Sequence, residues 1–322
     1  RSSKFAGVLI VQRNRNIMPH SYAHSSDNVV VTKAGDITLI GLNRPEKKNC
    51  VNVAMAEELN NAFENFDKDE QSNACVLHGI GGNFCAGYDL EEISKFDGEN
   101  VDSVPHFSLS SKIVVAALSG YTLGFGLELA LMCDMRVVED TAVMGFFNRR
   151  FGIPILSGGT VRLPAVIGYA RALDMILTGR KILMADAFQW GLATRATTGG
   201  TGVIKSQSSH YYPNKKYKLS HSQLNSSICV LALGTAVKVA TSINKFQQKS
   251  LLSDRASMSY ATFEAKSLEE ALQFEKDSSS HLLFEEGTNA ALRFFTEEVG
   301  RHGKFHISEE NVKIKELNKD LL

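Results

Sequence analysis

Lys112 to Asp134 reads KIVVAALSGYTLGFGLELALMCD. Between Ile113 and Cys133 its single charge is Glu128, so hydropathy alone would take it for a membrane span, for which ~20 apolar residues suffice. Its interior argues otherwise. Ile113–Leu118 is apolar and β-branched, like a strand buried on both faces. Ser119, Gly120, Gly124 and Gly126 break the run, and Leu127–Met132 starts a helix. A buried strand, a glycine-rich turn and a helix N-terminus make a place where backbone N–H groups converge on an anion or oxyanion. Glu128 falls in the first turn of that helix among leucines. Apolar surroundings push a carboxyl pKa up, toward a useful general acid or base. The plain alternative is a glutamate on the wet face of a core helix. This stretch alone leaves both open.

The 322 residues allow a substantial core and one or two domains. Lys+Arg and Asp+Glu are both 35, and no basic patch stands out, which argues against a nucleic-acid partner. Hydrophobic residues at 43% and aromatics at 8% are ordinary for a soluble enzyme. The five cysteines (Cys50, Cys75, Cys85, Cys133, Cys229) are scattered and form no C-x-x-C. They read as reduced thiols, not as a disulfide framework or a zinc site.

Residues 1–27 carry Arg1, Lys4, Arg13 and Arg15 with no acid before Asp27. This suits a mitochondrial transit peptide or a disordered tail; without import the protein would be cytoplasmic. Val29–Val31, a turn at Ala34-Gly35-Asp36 and Ile37–Leu42 predict a hairpin. Met55, Leu59, Ala62, Phe63 and Phe66 form one helical stripe. Ala74–Leu77 predicts a buried strand ending in a second glycine-rich turn at 79–87. Strands and helices thus alternate, which predicts α/β architecture with parallel pairing. Arg149–Leu163 reads as a turn-rich loop before helical Leu173–Leu177, and Ala185–Phe188 opens a short helix with Gly191 as its cap. Residues 199–230 hold no acid and read as a flexible insert, with a basic-aromatic RNA patch as the sharper alternative. Leu233–Phe246, Ser267–Glu275 and Leu283–Phe295 read as amphipathic helices. The implied divisions are a core over 28–198, the insert, a helical part over 231–305 and a charged tail over 306–322.

Several signals fail. Ser119 lacks the first glycine of a nucleophile elbow, since Ala117 stands there. Leu129 stands where a dinucleotide fingerprint needs its third glycine, and no P-loop lysine follows either turn. His78 beside Gly79 reads as a satisfied structural histidine.

Four blocks resemble the enoyl-CoA hydratase/isomerase (crotonase) family: Leu42-Asn43-Arg44-Pro45 with Lys48-Asn49; Asn83–Leu90; Gly120–Asp134; and Gly158–Leu163. Leu177–Arg180 and Asp254-Arg255 add to them. The resemblance implies a crotonase-like α/β spiral of ββα units, then a helical C-terminal region that builds homotrimers or hexamers. It implies an acyl-CoA thioester as substrate, with no metal or redox cofactor and no membrane span. It implies Glu128 as general acid/base and the Ala86 and Phe125 N–H groups as the oxyanion hole. Arg44, Lys48, Asn49, Asp89, Asn148 and Arg149 would bind the substrate. Two departures matter. The hydratases' second catalytic glutamate would fall at Asn148, and Phe125 replaces the middle glycine of the helix turn. Some family members work with the Glu128-type acid alone, so the expected activity is hydration or dehydration of a 2-enoyl-CoA through one glutamate. The alternatives are a short-chain decarboxylase of ethylmalonyl type, with Arg149 and Arg150 gripping a carboxylate, and an acyl-CoA binder without turnover.

Overall fold

The structure is a computed structural model that describes residues 27–93, 107, 110–147, 153–197, 229–244, 246 and 248–282. Asn148, Arg149 and Arg150 lie outside the described residues, as do 199–228, the expected helix Leu283–Phe295, the tail, and the leader except for Asp27.

The expected hairpin is β1 (Val29–Ala34) paired antiparallel with β2 (Ile37–Leu42). From β2 the sheet continues in parallel through β3 (Ala74–Gly79), β4 (Ile113–Leu118), β6 (Met135–Glu139) and β9 (Arg195–Thr197). A smaller sheet holds β5 (Tyr121–Leu123), β7 (Val143–Gly145) and β8 (Ile182–Leu183), in the order β5-β7-β8.

Strands β2, β3 and β4 are buried along their whole length, because both faces of the large sheet are covered. On one face Ile40, Leu42, Cys75, Leu77, Val114, Ala116 and Leu118 share a core with α1 (Val53–Lys68) and α3 (Phe125–Met132), with the one-turn α2 (Leu90–Ile93) between these helices in the chain. On the other, Ile37, Leu39, Ala74, Val76, Ile113, Val115 and Ala117 pack against α7 (Cys229–Ile243). The side-chain alternation of a strand sends neighbours to opposite cores, so a two-sided strand is apolar throughout. Ala232, Ala236 and Ala240 recur at helical spacing, and their small side chains let α7 lie close on the sheet. On α1 the stripe from Met55 to Phe66 is buried as expected, and the Asn52 side chain caps the helix by accepting from Met55 N–H at 2.9 Å.

Four expectations need correction. Helix α3 begins at Phe125, not at Leu127, and β5 precedes it where the sequence suggested only a turn. The stretch 149–163 is not loop throughout, since α4 (Gly159–Ile167) starts within it and is followed by α5 (Tyr169–Thr178). A helix at Gln248–Phe263 (α8) escaped the sequence reading, and the next one (α9) runs from Leu268 to Leu282. Among the side chains of α8 only Ser257 is buried, so no apolar stripe marked it. Helix α7 begins at Cys229, inside the segment read as insert. The expected short helix is α6 (Met184–Gln189), with Gly191 at φ +80 just beyond it. Among the described residues no helix is long and apolar enough to cross a membrane.

Candidate active site

Segment 83–89 leaves β3 and runs between two neighbours. On one side Phe84 N–H donates to Ser119 C=O (2.8 Å), Cys85 N–H to Tyr121 C=O (2.9 Å) and Leu123 N–H to Cys85 C=O (2.9 Å). On the other, Val51 N–H donates to Gly87 C=O (2.8 Å) and Asp89 N–H to Val51 C=O (2.9 Å). The two glycine-rich turns seen in the sequence are thereby brought together.

Buried backbone donors need acceptors, so the amides of this segment can be counted. Ala86 N–H is engaged: it donates to Lys48 C=O at 3.0 Å. The expected oxyanion-hole donor is therefore not Ala86. Gly87 N–H reaches Cys85 Sγ at 3.5 Å. Among residues 84–89 the amide without an acceptor in the described structure is that of Tyr88. Phe125 N–H, at the first position of α3, has no intrahelical acceptor by geometry and none elsewhere among the described residues. The two turns meet here. A Cβ on Gly87, whose φ is +111, would lie 3.7 Å from Phe125 N and 3.1 Å from Leu123 C=O, and one on Gly126 would lie 2.2 Å from Cys85 C=O. Glycine at these positions permits the approach.

Glu128 lies one helical turn on and is 2% exposed. Its Oε2 accepts from Ser157 N–H (2.7 Å) and Gly159 N–H (3.0 Å), where the chain enters α4. Burial pushes this carboxyl above its ordinary range, while the N–H bonds of Gly159, Ser157 and Leu156 and the charge of Arg162 pull back. The sequence's wet-face alternative is thus excluded. Beside the carboxylate, the Phe125 ring is stacked on Tyr88 at 4.3 Å and packs against Phe107 at 4.7 Å. The benzyl group thus turns into the protein, and the residue is 2% exposed.

Three of the expected substrate-binding residues are engaged with one another or with the backbone. Arg44 donates to Asp89 Oδ2 (2.9 Å) and to Cys50 C=O (2.6 Å). Burial raises the Asp89 carboxyl, but the bond from Arg44 and the Glu91 N–H outweigh it and hold the group below its ordinary range. Asn49 is fully buried, donates to Ile80 and Asn83 C=O and accepts from Arg44 N–H. These side chains brace the loop that presents Lys48. Lys48 and Asn49 both sit in the left-handed region, at φ +52 and +56. Lys48 itself is exposed, with its ammonium 4.8 Å from the Tyr121 ring centre. His78 is buried, its Nε2 has no partner among the described residues and burial pushes its pKa down to about 4, so it is a neutral core residue. Cys75, Cys85 and Cys133 are free and buried, and burial pushes the thiols of Cys85 and Cys133 up to about 12.

An engaged Ala86 amide, two open amides at meeting turns and an anchored acid delimit the site. The family model for enoyl-CoA hydratase/isomerase matches residues 32–280. The chain belongs to the enoyl-CoA hydratase/isomerase family. A probable enoyl-CoA hydratase of Rhizobium meliloti is 36% identical over 177 residues, which are 53% of this chain and 69% of the relative. A probable mitochondrial enoyl-CoA hydratase of Dictyostelium discoideum is 33% identical over 169 residues, 51% of this chain and 61% of the relative. The crystal structure of an enoyl-CoA hydratase from Mycobacterium tuberculosis superposes with a TM-score of 0.68 at 26% identity, over 84% of this chain and 96% of the other. The α/β body with its helical C-terminal region is therefore a crotonase fold. Tyr88 is the residue that sequence reasoning missed. The signal was the position after Gly87, the first that a glycine at positive φ can turn toward α3.

Proposed function

We propose that the protein adds water reversibly to a 2-enoyl-CoA thioester, with Glu128 as its acid and base and the Tyr88 and Phe125 N–H groups holding the thioester oxygen. One observation carries this reading. Two backbone N–H groups without acceptors among the described residues meet beside a buried carboxylate that neighbouring N–H groups hold in place. Glu128 takes a proton from water as the water oxygen bonds to C3. The C2–C3 π pair moves toward the thioester and negative charge gathers on its oxygen, where each N–H donor is worth roughly 3 kcal/mol. The acid then returns the proton to C2 and the carbonyl re-forms. One carboxyl serves both transfers in this reading, since the position that the resemblance gives to a second glutamate holds Asn148. The exposed Lys48 ammonium suits the phosphates of coenzyme A.

Two further readings go with it. Exposed Val161, Tyr169 and Leu177 on α4 and α5 support self-association, which light scattering would read directly. The acid-free leader and the mitochondrial relative support import into mitochondria, which localisation of the tagged full-length protein would test.

The test is crotonyl-CoA with wild-type protein and Glu128→Gln, beside ethylmalonyl-CoA. Hydration that disappears in the variant supports the proposal. Carbon dioxide from ethylmalonyl-CoA would make the protein a decarboxylase. Binding of both esters without turnover would make it an acyl-CoA binder.

A further inference from the structure

Where the family resemblance puts the hydratases' second catalytic carboxyl, the sequence has Asn148, which offers none. The Tyr88 side chain is fixed by its stack on Phe125, and its phenol lies 3.0 Å from Ser157 Oγ. Ser157 in turn donates its N–H to Glu128 Oε2 at 2.7 Å. Phenol and carboxylate are therefore bridged by a single residue. Two hydroxyls carry two protons, and their mutual bond uses one. Neither oxygen has a further partner among the described residues, so one O–H is left to donate next to Glu128. Burial, helped by the Glu128 charge against the Ser157 bond, pushes the phenol up to about 12, and it remains a donor at any working pH.

We propose that the Tyr88–Ser157 hydroxyl pair is a further part of the active site, which holds the attacking water, and then the 3-hydroxyl of the product, against Glu128. The proposal rests on the hydratase reading above. It assigns to two neutral hydroxyls the water-holding part of a second carboxylate's work, and none of its proton transfer.

Tyr88→Phe keeps the ring and its stack and removes one oxygen. Its kcat for crotonyl-CoA hydration should fall about tenfold or more with KM within about twofold, as for loss of one hydrogen bond to the reacting water. Ser157→Ala should do likewise, and the double variant should be little worse than either, because the hydroxyls act as a unit. An equilibrium readout is independent of turnover. Wild-type protein should bind 3-hydroxybutyryl-CoA more tightly than butyryl-CoA, and Tyr88→Phe should erase that difference while butyryl-CoA binding stays the same. Wild-type kcat in Tyr88→Phe, or equal loss of affinity for both esters, would overturn the proposal and leave the hydratase reading standing. A wild-type protein that neither hydrates crotonyl-CoA nor binds either ester would remove the hydratase reading, and this proposal with it.

Discussion

Two buried glutamates differ in how the fold holds their carboxyls. Glu128 and Glu139 are both nearly inaccessible, at 2% and 0% exposed, and burial raises both carboxyls. Their partners differ. Glu128 Oε2 is gripped by two N–H groups at the entry to α4, beside two amides that are still open. Glu139, at the end of β6, accepts from Thr141 Oγ1 at 3.2 Å on Oε1, and its Oε2 has no close hydrogen-bond partner among the described residues. Its carboxyl is pushed up to about 7 by burial, with Asp140 adding and Thr141 and Ala232 countering. Burial alone raises a pKa. Function needs the acid to be aimed as well, next to donors with something left to bind.

The largest difference expected between them is catalytic. Glu128→Gln should lower kcat for crotonyl-CoA about 1000-fold, whereas Glu139→Gln should stay within about twofold, both read by loss of enoyl absorbance. Similar losses in both would erase the distinction.

Next comes stability. The folded protein binds the Glu139 proton more tightly than the unfolded chain does. That stabilisation is present in acid and is lost as pH rises from 4.5 to about 7. Over that window the loss is about 3 kcal/mol at most. Glu139→Gln should therefore match wild type below about pH 4.5, gain on it progressively up to about pH 7 and keep that lead above it, measured by urea unfolding. A difference independent of pH would mean that Glu139 is better solvated than its burial implies.

The smallest effect probes the anchoring of Glu128. A Cβ on Gly159 would lie 2.9 Å from Glu128 Cγ and 3.0 Å from Phe146 Cζ. Gly159→Ala should push the carboxylate off its N–H anchors and cost about tenfold in kcat with little change in KM. Unchanged kcat would show that the acid tolerates displacement.

Much of this was legible in the residues themselves. The apolar runs of β3 and β4 and the Met55–Phe66 stripe obey strand and helix periodicities that local sequence carries. The glycines between β4 and α3 marked a turn, and a lone acid among leucines marked Glu128. Helix α8 was hidden because its exposed, serine-rich surface carries no period. The starts of β5 and α4 were hidden because their pairing and packing partners are distant in the chain.

The sequence by itself determined the α/β class and the two-faced sheet and singled out Glu128 as the candidate acid, since each depends on residue type and short-range spacing. Only the tertiary structure decided which amides remain open. Ala86 and Tyr88 flank the same glycine and look interchangeable in sequence. The Lys48 carbonyl, carried in by a loop braced through Asn49, Arg44 and Asp89, takes the first and leaves the second. A backbone donor is defined by what it does not bond, and that depends on atoms brought from elsewhere in the fold.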